Sequence, residues 1–177
     1  MKYQDIWDGH LLTPGKRECA SRYEIIKTFC NTLKEPFTVC DIGANMNYFG
    51  IRLTEDFNCN VMSFEFHQFE SREPLVKRNK NILFLKRRIS LPDLEILNSC
   101  SHFNLVLALS VLHHLPGDST QWIDQFSKLG DHVILEMAGE DSDRTLIRKN
   151  YKIPDSSVLG YGDSHLKKDF KRPIILL

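Results

Sequence analysis

Val39-Cys40-Asp41-Ile42-Gly43-Ala44-Asn45-Met46-Asn47-Tyr48-Phe49-Gly50 is the stretch on which the reading of the fold turns. An apolar run, Phe37 to Cys40, leads into an acid, then a glycine-centred turn, then an amphipathic segment. That order predicts strand, tight turn and helix, the unit through which a doubly wound sheet receives a nucleotide-like ligand. Gly43 lets the backbone approach a ligand with no Cβ in between. Asn45 and Asn47 stand where glycines often stand, and asparagine is the next residue most tolerant of a left-handed turn. The loop has neither G-x-G-x-x-G nor the lysine of a P-loop, so nothing in it is placed to hold a pyrophosphate.

A second acid extends the pattern. Asn60-Val61-Met62-Ser63-Phe64-Glu65 reads as a strand ending in a carboxylate, twenty-four residues after Asp41. In an α/β unit that holds a ribose, an acid at that position accepts from two vicinal hydroxyls at once. The plainer alternative for Glu65 is an exposed strand end.

The rest of the chain is consistent with this unit. Arg17 to Leu33 predicts a helix after an irregular lead, and Glu35-Pro36 stops it. Strands follow at 37–41, 60–65 and 82–85, with a helix over 66–80 and a short one over 91–97. Phe103-Asn104-Leu105-Val106-Leu107-Ala108-Leu109 is nearly all apolar, as a central strand covered on both faces should be. Ser119 is the expected cap of a helix that Gly130 ends, and 132–137 is the next strand. A helix over 141–151 and a closing hairpin, ending in Pro173-Ile174-Ile175-Leu176-Leu177, complete the chain. Alternating strands and helices predict an α/β, doubly wound, mostly parallel sheet with an antiparallel C-terminal strand. Ligands of such sheets sit beyond the carboxyl ends of the strands, where the strand order reverses.

Composition narrows the class. A chain of 177 residues suits one domain, with residues 1–35 contributing to the substrate side. Its 23 Lys plus Arg balance 23 Asp plus Glu, so bulk attraction to nucleic acid or an anionic membrane is not indicated, although a local basic patch stays open. Five cysteines without a C-x-x-C pair read as free thiols in a reducing, cytoplasmic setting. No signal peptide or apolar run of membrane length is expected.

The block Asp41 to Gly50 resembles the first motif of class I S-adenosylmethionine (SAM) methyltransferases, D/E-x-G-x-x-x-G. Ala108-Leu109-Ser110-Val111-Leu112-His113-His114-Leu115 is similar to the fourth motif of many of them. The resemblance implies a Rossmann-like, seven-stranded sheet, SAM as cofactor and S-adenosylhomocysteine as product. It places Asp41, Gly43, Ala44, Asn45, Glu65, Phe66, Ser110 and Val111 along the cofactor. Arg88 and Ile89, after the third strand, fall at the adenine edge, although Lys86-Arg87-Arg88 also reads as a solvated basic turn. Tyr48 and Phe49 stand where they would shield the methionine end, or else pack in the core. His113 at a strand end would reach the site, with an ordinary pKa of roughly 6.5. A metal is not expected, because adjacent histidines rarely bind one ion together and no cysteine lies near.

Three further blocks, Lys16 to Ile26, Val133 to Ala138 and Gly162 to Leu166 with Arg172-Pro173-Ile174, are similar to a narrower group. They resemble the methyltransferase portion of bacterial O-antigen chain-terminating enzymes, which join a kinase to a methyltransferase and methylate a terminal phosphate. The 177 residues carry no kinase portion, and Asn47 stands where that family usually has glycine. The implied substrate side is Arg17, Arg22 and Arg172, with His165 and Glu136 beside His113 as catalytic candidates. Guanidinium forks pair with phosphate oxygens in a bidentate way, so these arginines suit a small-molecule or phosphorylated acceptor. Arg17 and Arg22 also read as surface charges on the first helix paired with Glu18 and Glu24, and Glu136 as a strand end near water. The expected activity is methyl transfer to a phosphate or hydroxyl oxygen of a small molecule, a glycan or a nucleic-acid end. The rivals are an NAD or nucleotide-sugar enzyme, disfavoured by the missing glycines, and a catalytically silent SAM-binding subunit. The latter predicts that Arg17, Arg22 and His165 face away from the cofactor pocket.

Overall fold

The strand that carries Asp41 lies in the middle of the molecule because its residues are apolar on both faces. In the computed structural model, which describes residues 3–10, 12–67, 79–137, 155–163 and 171–177, this strand is β3 (Phe37–Ile42). It pairs in parallel with β4 (Cys59–Glu65) on one side and β6 (Phe103–Leu109) on the other. β5 (Ile82–Lys86) extends the sheet beyond β4, and β7 (Gly130–Glu136) extends it beyond β6. β9 (Lys171–Leu176) then adds antiparallel to β7, and β8 (Val158–Asp163) pairs antiparallel with β9. The order β5-β4-β3-β6-β7-β9-β8 reverses direction between β3 and β6, which puts a crevice at their carboxyl ends.

Period-two alternation sends successive residues to opposite faces, and both faces are covered. Leu105, Leu107 and Leu109 pack under α1 (Ala20–Cys30) and α2 (Tyr48–Asp56), with Tyr23, Ile26, Phe49 and Leu53. Val106 and Ala108 pack on the other face with Leu94 of α3 (Leu91–Cys100) and Trp122, Ile123 and Phe126 of α4 (Ser119–Leu129).

Local chemistry fixes the element ends. Ser90 and Asp93 form a reciprocal capping box at α3, with a proline in its first turn. The cap of α4 is Asp118, whose carboxylate accepts from the Thr120 amide at 2.8 Å, and not the expected Ser119. Helix α1 begins at Ala20, later than the Arg17 expected from periodicity. Arg17 is instead paired along its backbone with residues 3–5, its amide donating to the Tyr3 carbonyl at 2.8 Å.

The lead is not irregular. β1 (Ile6–Trp7) and β2 (Leu12–Thr13) form a small antiparallel hairpin. Trp7 Nε1 donates to Glu55 Oε2 at 2.6 Å, and the Arg52 guanidinium covers the indole at 4.8 Å, tying the hairpin to α2. The helix expected over 66–80 falls largely outside the described residues, and that over 141–151 lies wholly outside them. Among the described residues no helix is long and apolar enough to cross a membrane.

Candidate functional site

The turn after β3 is held by backbone and side chain together. The amides of Gly43 and Ala44 both donate to the Phe64 carbonyl, at 2.9 and 3.0 Å, which anchors the loop to β4. Gly43 has φ +79°, and Asn45 and Asn47 have φ 49° and 61°, so the chain passes through left-handed conformations three times in five residues. Asn47 is fully buried, and its Oδ1 accepts from Ser63 Oγ at 2.8 Å. A Cβ at Gly50 would lie 2.6 Å from that same Oδ1, so Gly50 clears the space that Asn47 occupies. At Gly43 a Cβ would fall 2.7 Å from Val111 Cγ2. Gly43→Ala is therefore expected to cost about 1–3 kcal/mol of stability, from steric overlap and backbone strain together. Urea denaturation of the variant against wild type measures this.

Glu65 closes the turn from the neighbouring strand. Its Oε2 accepts from the Asn45 amide at 2.8 Å and its Oε1 from the His67 amide at 2.7 Å. Each oxygen keeps a further lone-pair site, and the residue lines a cavity of about 450 Å³ at the carboxyl ends of β3, β4 and β6. Gly43, Asn45, Phe66, Arg88, Ile89, Ser110 and Val111 line it as well. Phe66 is more than half exposed and carries the Arg88 guanidinium over its ring at 4.8 Å, so Arg88 is stacked and not simply a solvated turn residue.

Asp41 does not line the cavity. It is buried beneath the turn, and its Oδ2 has no hydrogen-bond partner among the described residues. Burial first, and the negative Glu65 second, push its carboxyl up to about 7. This value lies above the roughly 3.9 of an unfolded aspartate, so folding favours the protonated form. The resulting stability is fully present below the unfolded value and is lost as pH rises through about 7. Urea denaturation between about pH 4 and pH 8 is expected to show this decline in wild type and a flatter profile in Asp41→Asn.

The second wall is built on charge. Arg17, Arg22 and Arg172 are only 2%, 1% and 3% exposed, which removes the reading of Arg17 and Arg22 as surface charges paired with Glu18 and Glu24. They converge on Glu136, which is wholly buried at the end of β7. Arg17 Nη2 donates to one carboxylate oxygen, and Arg22 Nη1 donates to the other at 3.1 Å. Ser110, in the left-handed conformation at φ 54°, donates its hydroxyl to Glu136 Oε2 at 2.9 Å and accepts from Arg172 Nη1 at 3.1 Å. Gly162 in β8 leaves room for this cluster, since a Cβ there would lie 2.8 Å from both Arg22 Cδ and Glu136 Oε1. Two guanidinium groups thus share one carboxylate and the third joins it through Ser110, and the Nε atoms of Arg17 and Arg172 are buried without a hydrogen-bond partner among the described residues. Burial, and then the charge of Arg17, push Arg172 below its ordinary pKa. Arg17 and Ser110 bring the edge of this positively charged cluster to the cavity.

The expected site residues separate into two groups. Arg17 reaches the cavity wall, whereas Arg22, Arg172 and Glu136 stand behind it and hold Arg17 and Ser110 in place. Glu136 is therefore not a strand end near water. Tyr48 and Phe49 pack in the core, ring against ring at 5.5 Å, and do not line the cavity, and Ala44 serves it only through its backbone. His114 lines the cavity and His113 does not, although the two rings lie against each other at 3.8 Å. Partial burial, then the charges of His114, Arg172 and Arg17, push His113 down to about 4. His165 lies outside the described residues. Sequence reasoning missed Tyr3 and Gln4, which line the cavity beside Arg17. Their segment has no periodic pattern, and long-range contacts, the parallel pairing of Gln4 with Arg17 among them, bring it there.

No family model matches the sequence, and no curated protein matches it. Solved structures with the same fold are found. The bifunctional kinase-methyltransferase WbdD superposes with a TM-score of 0.69 at 21% identity, covering 97% of this chain and 41% of that one. The present chain thus spans about two fifths of the length of WbdD. The Burkholderia thailandensis 1,6-didemethyltoxoflavin-N1-methyltransferase, solved with 1,6-didemethyltoxoflavin and S-adenosylhomocysteine, superposes at TM-score 0.62 and 11% identity, over 89% of this chain and 77% of that one. The N-terminal domain of EvdMO1, solved with S-adenosylhomocysteine, gives 0.60 and 11%, over 87% and 78%. Together with the strand order and the antiparallel β9, this likeness gives the chain the Rossmann-like fold of class I methyltransferases.

Proposed function

We propose that the chain is a SAM-dependent methyltransferase that transfers a methyl group to an oxygen of an anionic acceptor, a phosphate before a hydroxyl. One observation carries this reading: Glu65, bonded to the Asn45 amide and with a free lone-pair site on each oxygen, lines the same cavity as Arg17 and Ser110 of the arginine cluster. Glu65 would take the two ribose hydroxyls, Phe66, Arg88 and Ile89 the adenine, and the turn from Gly43 to Asn45, with Ser110 and Val111, the methionine portion. The residues fit such a ligand, because Gly43, Asn45, Glu65, Phe66, Ile89 and Ser110 line one cavity and the loop offers no pyrophosphate cradle.

SAM, when bound, supplies an electrophilic methyl: the acceptor oxygen forms the new C–O bond while the S–C pair returns to sulfur. The chain's own part is alignment. Arg17, fixed by Glu136, would hold the anion, and Tyr3 and His114 would border it. An acceptor that is already ionised has no proton to remove. That suits a cavity which His113, pushed down to about 4, does not line. The acceptor would be a small molecule, a glycan or a nucleic-acid end bearing phosphate, and the single domain would span 1–177. A silent SAM-binding subunit fits less well, because Arg17 lines the cavity. Transfer of labelled methyl from SAM to a panel of phosphorylated sugars and RNA 5′-phosphate ends tests the reading. Labelling of a phosphorylated acceptor but not of its dephosphorylated form supports it, and labelling of both alike contradicts the phosphate assignment.

A further inference from the structure

We infer that Asp5 is a positioning residue for the acceptor side of the site, the clasp that shapes residues 3–19 into a wall of the cavity. The inference rests on the proposed anionic acceptor. Asp5 is 3% exposed, and both of its carboxylate oxygens accept from backbone amides far along the chain. Oδ1 accepts from Gly15 at 2.7 Å and Oδ2 from Cys19 at 2.8 Å, next to the start of α1, where a negative charge is favoured by the helix dipole. Between these anchors the chain returns on itself, and the Arg17 amide donates to the Tyr3 carbonyl at 2.8 Å. The crossing is so close that a Cβ on Gly15 would lie 2.2 Å from the carbonyl carbon of Gln4. One carboxylate therefore fixes both strands of the strap.

What the strap delivers points to a ligand. Tyr3, Gln4 and Arg17 all line the cavity. Gln4 Oε1 and Arg17 Nε are buried with no hydrogen-bond partner among the described residues, one an acceptor and one a charged donor. Both atoms are sealed from solvent, so the strap meets a bound group through the surfaces of Tyr3, Gln4 and Arg17 that line the cavity. Glu65, Phe66 and Ile89 also line the cavity but take no part in the Asp5 bonds. Loosening the clasp is thus expected to disturb the acceptor side and spare the cofactor side.

The test is a pair of calorimetric titrations on the whole chain, with S-adenosylhomocysteine first and then inorganic phosphate on the saturated protein. Asp5→Asn keeps the shape but turns an NH2 group toward one of the two amides. It is expected to bind S-adenosylhomocysteine within about threefold of wild type and phosphate about tenfold to a hundredfold more weakly, the effect of displacing Arg17 by a fraction of its length. Unchanged phosphate binding in Asp5→Asn overturns the inference, as does an equal loss of both ligands, which marks a merely structural role. Wild type that takes S-adenosylhomocysteine but no phosphate overturns it too, whereas wild type that takes neither sinks the methyltransferase reading itself. Should Asp5→Asn not fold, amide exchange in wild type decides. The Gly15 and Cys19 amides are expected to exchange more slowly once phosphate joins the S-adenosylhomocysteine complex, and unchanged exchange there overturns the inference.

Discussion

Glu65→Ala is expected to lower the affinity for S-adenosylhomocysteine by about 100-fold or more, because two hydrogen bonds to a charged group, at about 1.5–3 kcal/mol each, are removed together. The loss is compounded inside the protein. Glu65 also receives the amides of Asn45 and His67, so its removal frees the turn that the ligand would rest on. Glu65→Gln separates the two effects. The amide retains one acceptor for the turn but offers a hydrogen where a second hydroxyl or amide hydrogen should be, and an intermediate affinity is expected. Titration calorimetry on both variants, with circular dichroism to show that each is folded, reads the result. Binding by Glu65→Ala within about threefold of wild type, where each lost bond should count for about tenfold, would remove the ribose assignment.

Glu136→Ala should give the largest loss of stability. The variant leaves Arg17 and Arg22, both almost fully buried, without the carboxylate that receives them, and it strips the Ser110 hydroxyl of its acceptor. Breaking a buried ion pair from one side typically costs about 3–5 kcal/mol, far more than the pair contributes over a matched apolar replacement. Arg172 adds a third positive charge within the cluster and raises the demand for an anion. Glu136→Gln, which keeps the shape and loses the charge, should fall between the two. Added phosphate or sulfate should recover part of the lost midpoint in urea for the variants and less for wild type, because the anion replaces the missing charge. A Glu136→Ala protein as stable as wild type would mean that the three arginines are solvated, contrary to their burial.

Most of the sheet was legible in the sequence because it is written in short-range patterns. The apolar runs of β3 and β6 announce strands covered on both faces, and Asp41-Ile42-Gly43 announces the turn. Glu65 is legible for the same reason, as an acid that ends an otherwise apolar strand. The charged wall was only half legible. Arg17 and Arg22 belong to a segment that looks like a solvated helix, and the carboxylate that buries them lies more than a hundred residues away. A signal was nevertheless present: an ionised glutamate in the run Val133 to Met137 can be buried only against cations. The strap and its hairpin were not legible. Their strands are two residues long, too short for any period, and the clasp at Asp5 acts through backbone amides that carry no residue identity. The choice between His113 and His114 depends on the rotation of a single 3-10 turn, which adjacent letters do not encode.

Titration of the folded wild type with S-adenosylhomocysteine, NAD and ATP in parallel tests the cofactor assignment most directly. The expected result is one-to-one binding of S-adenosylhomocysteine at micromolar concentration and none of the two nucleotides, because Glu65 can hold a ribose while the Gly43 turn has no cradle for a pyrophosphate. A folded protein that ignores S-adenosylhomocysteine, or that prefers NAD or ATP, would contradict it.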